Sequence, residues 1–319
     1  MFAARCIGVS LAVFVLVYVS LSLLVSRGWK LLRRTLRPSS ARGAAGLLFA
    51  LRVLPLGASV FVTLAFTLPS FLLLEPRSTG EAIGAAPLAL GLCCVVLLAA
   101  GIVRAALAQL RASRALVAWL NGSALMEPQI KESGNAIPIF RVANGSPTLT
   151  VAGLCAPKVL VSNAAIAALS SRELRTALRH EIAHAIRYDN LRKLLFRFSV
   201  FPAMGELEHA WSEETEMAAD DAAVYSFHDA LDLAAALIKV SRLGPVESSG
   251  ELTMALLHSS TALSARVHRL VTWNQAQTRQ SQARWAYVLP AAAALAIAAL
   301  TTYGSALTQM HAVTEWLVR

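Results

Sequence analysis

His180-Glu181-Ile182-Ala183-His184 is the stretch from which the rest of the chain can be read. Residues four apart on an α-helix lie on one face, so His180 and His184 can offer two imidazole nitrogens to one metal ion. Glu181 stands beside the pair, where a carboxylate can take a proton from a water polarised by that ion. The competing explanation is a surface helix with two solvated histidines. With seven His in 319 residues, a pair at this spacing is unremarkable. The Glu directly after the first His is what makes the HExxH pattern specific.

The flanks put the motif on a helix. Ser170 and Glu173, three apart, have capping-box spacing, and Leu174, Leu178, Ile182 and Ile186 then recur every four residues. Neither Gly nor Pro intervenes before Pro202. A catalytic metal also needs a third protein ligand and an open position. Downstream, residues 212–223 (SEETEMAADDAA) predict a second helix, N-capped by Ser212, with Glu213 and Glu214 in its acidic first turn. Glu216 and Asp220 are four apart and share a face. Glu216 is the expected third ligand. Asp220 is expected to accept the outer N–H of a ligand imidazole, which fixes the ring's tautomer and raises its basicity.

Composition indicates a membrane setting. The chain is 56% hydrophobic and only 15% charged, more apolar than an average soluble protein. Stretches 6–26, 53–74, 82–103 and 285–310 carry no charge, and a membrane-crossing helix takes about 20 residues. The first is too long for a cleavable signal peptide and is followed by Arg-rich sequence. Arg27, Lys30, Arg33, Arg34, Arg37 and Arg42 come after it, whereas Arg77 is the sole cation between the second and third stretches. Arg104, Arg111 and Arg114 follow the third, Arg279 and Arg284 precede the fourth, and Arg319 alone follows that. Cationic flanks stay in the cytoplasm. The expectation is a multi-pass protein of a bacterial-type inner membrane, with both termini outside and the HExxH motif facing the cytoplasm.

The chain then divides into three N-terminal spans (1–103) with a basic cytoplasmic loop (27–42), a cytoplasmic domain (104–284), a fourth span (285–310) and a short extracytoplasmic tail (311–319). The fold class expected is a mainly α integral membrane protein with four transmembrane helices and an α+β domain between spans three and four. Residues 104–120 read as a helix continuing out of the membrane. Between 121 and 162, β-branched clusters at 137–142, 148–151 and 159–161, punctuated by Asn144-Gly145-Ser146-Pro147, predict a small, largely antiparallel sheet. Segment 194–204 is too short to span and reads as an interfacial or re-entrant piece, or as a buried turn. Residues 230–243 predict an amphipathic helix.

The net charge of +10 sits largely beside the spans. It therefore implies anionic lipid headgroups as partners and excludes direct nucleic-acid binding, which needs a basic face with recognition elements. The four cysteines show neither a disulfide framework nor Cys-x-x-Cys metal spacing. His209, His228, His258, His268 and His311 have no ligand spacing around them.

Taken together, HEIAH, Arg187-Tyr188-Asp189-Asn190-Leu191 and the later Glu216-Met217-Ala218-Ala219-Asp220 resemble the BlaR/MecR antirepressor metallopeptidases. The lead-in fits as well, with residues 156–162 (APKVLVS) and 169–174 (LSSREL) similar to that family's approach to its motif. The similarity covers roughly residues 137–240. It implies a zincin-like peptidase domain with one catalytic Zn2+, Glu181 as the base and His180, His184 and Glu216 as ligands. Residues 265–270 (ARVHRL) resemble the Arg-containing helix after the active site in related membrane zinc peptidases, which implies Arg266 or His268 as an oxyanion stabiliser. Such peptidases also pair extended substrate with a sheet edge.

The resemblance implies regulatory proteolysis of a cytoplasmic or membrane-proximal protein such as a transcriptional repressor. This chain departs from the family after its fourth span, where only nine residues follow and leave no room for a sensor domain. Drug sensing is therefore not implied, and a regulatory membrane partner is expected instead. One alternative resembles the HtpX quality-control proteases. A third, of a different class, is a non-catalytic membrane signal transducer with a structural zinc.

Overall fold

The computed structural model describes residues 2–32, 40–75, 84–121, 123–126, 137–143, 148–243, 254–255, 260–273 and 303–316. Three helical rods contain the first two charge-free stretches and residues 85–103 of the third. They are α1 (Phe2–Leu32), α2 (Ala41–Val62) continued through a π-helical turn (Thr63–Thr67) into α3 (Leu68–Leu74), and α4 (Ala85–Leu120). All three rods are long and apolar enough to cross a membrane. At about 1.5 Å per residue, α4 exceeds the ~30 Å of a hydrocarbon core by many ångströms, so the helix expected over 104–120 is its continuation.

Of the fourth predicted span, residues 285–302 lie outside the described residues. The remainder is helical and runs on to residue 316, as α11 (303–316). Arg33, Arg34, Arg37, Arg77, Arg279, Arg284 and Arg319, and the turn at 144–147, also lie outside the described residues.

The π-helical turn has a local cause. Pro69 lacks the N–H that would bond to the Ala65 carbonyl in a regular helix. The Tyr303 hydroxyl on α11 donates to that carbonyl at 2.6 Å. A proline in the second rod thus creates the acceptor through which α11 is held. Nearby, the buried Arg5 of α1 pairs with Glu75 at the end of α3, 3.2 Å away.

A five-stranded sheet follows α4, built from β1 (Ala124–Met126), β2 (Ile139–Val142), β3 (Leu149–Ala152), β4 (Lys158–Ser162) and β5 (Met254–Ala255). Its order is β1-β2-β4-β3-β5. Three pairings are antiparallel as expected, but β2 runs parallel to β4 with Phe140 opposite Leu160. The reason is placement. β3 folds back on β4 through residues 153–157, so β2 meets the opposite edge of β4 and points the same way.

Alternating side chains on β4 serve two cores. Val159 and Val161 enter a cluster with α-helical residues Ala177, Leu178 and Ile182. Leu160 points the other way, towards Leu116, Trp119 and Leu120 at the end of α4.

The remaining elements are α5 (Asn163–Ala168), α6 (Ser171–Ile186), α7 (Asp189–Phe198), a 3₁₀ turn (Pro202–Met204), α8 (Gly205–Ala223), α9 (Phe227–Arg242) and α10 (Ser260–Val271). In α9, Ala230, Leu233, Ala234, Leu237 and Val240 form the apolar stripe expected for 230–243 and bury it in the larger core. α8 begins two turns before the expected start at Ser212, which lies inside the helix. Leu207 and Trp211, four apart, extend it by packing with Phe196 and Met204 against Val25 of α1 and Leu48 of α2. The helices on either side of segment 199–204 therefore rest directly on the membrane-type helices.

Candidate metal centre

The capping box at the start of α6 forms as its spacing predicts. The Ser170 hydroxyl accepts from the Glu173 N–H, and the Glu173 carboxylate accepts from the Ser170 N–H at 2.7 Å. Lys239 of α9 clamps the same carboxylate at 2.8 Å. With its start held at two points, α6 carries His180, Glu181 and His184 into the interior, where all three are buried.

The helix ends at Tyr188, whose φ of 54° and ψ of 42° place a non-glycine residue in the left-handed region. Such a conformation costs roughly 1–2 kcal/mol. It reverses the chain so that Asp189, the first residue of α7, faces back to α6. Asp189 Oδ2 stands 2.8 Å from His184 Nδ1. Arg187 donates to the same oxygen at 2.8 Å and to the Thr215 carbonyl of α8 at 2.9 Å. Asn190 donates to the carbonyls of Val151 and Gly153 at 3.1 and 3.2 Å, docking α7 onto β3. Asp189, Arg187 and Asn190 are not among the residues that helical spacing selects; their signal in the sequence is the Asp-Asn pair just after the motif.

α8 supplies the rest of the cluster. Asp220 Oδ1 lies 2.9 Å from His180 Nδ1. Glu216 Oε2 lies 3.4 Å from His180 Nε2, and its Oε1 lies 3.6 Å from His184 Nε2. The two Nε2 atoms are 3.1 Å apart. Each imidazole thus turns its Nδ1 to a carboxylate and its Nε2 towards the other ring and Glu216.

These three residues form a buried group able to hold a metal ion. Tetrahedral coordination at about 2.0–2.1 Å separates neighbouring ligand atoms by about 3.3 Å, close to the three separations here. The donor set fits in chemistry too: two imidazoles oriented by outer carboxylates and one carboxylate. Among the described residues the group contains no fourth His or Cys, so a fourth position would be left to solvent or substrate.

Arg266 of α10 braces the acidic side of the cluster. Its Nε and Nη2 donate to the two oxygens of Asp220 at 2.8 and 2.6 Å, and Nη1 lies 3.0 Å from Glu216 Oε2. Of the two residues expected in this helix, Arg266 reaches the cluster and is buried, while His268 lies on the exposed face.

The electrostatics follow from this crowding. Burial raises the carboxyl pKa of Glu216 and Asp220, but Arg266 and the imidazoles outweigh it, holding Glu216 well below the ordinary range and Asp220 at about 2. For His180, burial disfavours the cation, yet Asp220 and Glu216 lift it to about 9. Burial dominates at His184 and lowers its pKa. The cluster thus favours the cation at His180 and disfavours it at His184.

Glu181 differs from the other carboxylates. It is fully buried, and burial pushes its pKa up to about 8. Among the described residues neither of its oxygens has a well-formed hydrogen bond, although the Val151 backbone on β3 is close enough to pull the pKa slightly down. A buried carboxyl group whose pKa lies close to neutral, next to a histidine that could hold a metal ion, is suited to exchanging a proton.

No protein-family model and no curated protein matches this chain.

Proposed function

We propose that this chain is a membrane-integral zinc metalloendopeptidase that cuts a cytoplasmic or membrane-proximal protein, in the manner of regulatory, repressor-directed proteolysis. The supporting observation is the convergence of His180 Nε2, His184 Nε2 and Glu216 in one buried cluster, with both outer imidazole nitrogens on carboxylates and Glu181 alongside. Zinc held by these three residues would supply a water of lowered pKa and polarise a peptide carbonyl.

The chain's own groups do the rest. Asp220 and Asp189 hold the two Nδ1 positions, which leaves the Nε2 of each ring as the atom that would face a metal ion once its proton is displaced. Glu181 takes the proton of the attacking water and returns it to the departing amine nitrogen, a two-way transfer suited by a pKa close to neutral. Arg266 holds Glu216 and Asp220 in place and keeps both ionised. Burial of the cluster excludes bulk water and strengthens each of these interactions.

The placement of Lys and Arg supports an inner-membrane location with the site in the cytoplasm and both termini outside. The absence of a fourth His or Cys from the described group favours catalysis over a structural zinc, which normally has four protein ligands.

Purification of the full chain in detergent, as wild type and Glu181→Gln, tests the proposal by zinc content and by cleavage of co-expressed proteins. Equal zinc in both, with fragments only from wild type, is the expected result. A single substrate cut at defined sites indicates regulatory proteolysis, whereas many cuts in many proteins indicate quality control. Cleavage retained by Glu181→Gln, or no metal in wild type, would overturn the assignment.

A further inference from the structure

The link between α7 and α8 is held from three sides by helices of the membrane type. From α2, the buried Arg52 donates through Nη1 to Ser199 Oγ at 2.8 Å and through Nη2 to the Ser199 carbonyl at 2.6 Å. Its Nε donates to Glu208 of α8 at 2.9 Å, and the guanidinium lies 5.4 Å from the centre of the Phe196 ring. From α1, the Tyr18 hydroxyl donates to the Val200 carbonyl at 2.9 Å. From α4, Gly101 lies so near the Phe198 carbonyl oxygen that a Cβ added there would stand 2.3 Å from it. Tyr18 and Gly101 both belong to charge-free stretches. A turn between two site helices is therefore inserted into a socket of the helical bundle.

The position of this turn matters because of what lies at the far ends of its two helices. α7 begins at Asp189, which orients His184, and α8 carries Glu216 and Asp220. Each helix spans about 15 Å between the turn and its site residue, and rigid helices transmit end displacements to packed neighbours. One guanidinium touches the end of α7, the turn and α8 together. A lysine could not repeat this, having a single nitrogen in place of a planar fork.

We infer that Arg52, Tyr18 and Gly101 are positioning residues through which the arrangement of the membrane helices sets the geometry and affinity of the metal centre. The inference rests on the metal-centre reading and supplies its regulation: any partner that shifts α1, α2 or α4 acts on the site through the 198–200 turn.

Cobalt(II) tests this in the purified full chain, because its visible absorption reports both occupancy and tetrahedral geometry. Arg52→Lys, Gly101→Ala and the milder Tyr18→Phe are compared with wild type and with Phe71→Ala, which loosens a cluster towards the other end of α1. Helix content and melting temperature are recorded for each, and only variants with wild-type helicity are scored; Tyr18→Phe removes one hydroxyl and keeps the comparison available if the others misfold. Expected are a cobalt affinity lowered about tenfold or more in Arg52→Lys and Gly101→Ala, as for the loss of an outer-sphere support, a smaller loss in Tyr18→Phe, and a changed spectrum. Phe71→Ala should melt earlier with an unchanged spectrum. Identical cobalt binding in the socket variants and wild type, or an equal spectral change in Phe71→Ala, would overturn the coupling. Failure of wild type to bind cobalt would overturn the metal centre and the coupling with it.

Discussion

His184 Nδ1 and Asp189 Oδ2 meet at 2.8 Å although they belong to different helices, joined by the left-handed Tyr188. An imidazole of the candidate metal centre is thus oriented by the residue that opens the next helix. Asp189→Asn keeps the shape but removes the charge. It should weaken metal binding about 10- to 100-fold, measured by competition with a chelator. Unchanged affinity would show that the contact does not support the ligand.

Glu181 is buried and, among the described residues, has no well-formed hydrogen bond. Glu181→Gln should therefore leave folding and metal content intact while lowering turnover by about 100-fold or more, the range for a lost general base. Loss of metal together with turnover would instead make Glu181 part of the binding set.

Arg266 compensates two buried carboxylates at once. Arg266→Met leaves them without it and should cost about 3–5 kcal/mol of stability. The loss should be larger in metal-free protein than in zinc-loaded protein, since a bound cation replaces part of the missing charge. Thermal melts with and without zinc check this; equal losses in both would place the metal elsewhere.

Glu173 gives a pH dependence away from the metal. Burial raises its pKa, but Lys239 and the Ser170 N–H outweigh that and hold it below the ordinary value of 4.5. A carboxylate depressed in the folded state adds stability above its unfolded pKa and loses it as pH falls through the folded value. The melting-temperature gap between wild type and Glu173→Gln should therefore be present near pH 7 and shrink as the pH drops below about 4.5. A gap that grows on acidification would refute this role for the Glu173 carboxylate.

The sequence by itself determined what depends on local spacing. Ser170 and Glu173 specify a helix start, and the four-residue interval between His180 and His184 places both rings on one face. The interval between Glu216 and Asp220 does the same on a second helix. Three charge-free runs specify three long apolar helices. These features follow from 3.6-residue periodicity and chain solvation, which act over a few turns.

The tertiary structure alone decided what depends on distant contacts. Tyr188 adopts a conformation that only the docking of Asp189 and Asn190 on His184 and β3 makes worthwhile. α8 starts at Gly205 because Leu207 and Trp211 find apolar partners on α1 and α2, a gain that outweighs the cap at Ser212. β2 lies parallel to β4 because β3 already occupies the other edge. Arg52 reads in sequence as a charge at the border of an apolar run, yet it becomes the clasp of the 198–200 turn. Burial of apolar surface and pairing of buried charges select these arrangements, and they join residues from a few positions apart, as His184 and Asp189, to more than a hundred, as Arg52 and Ser199.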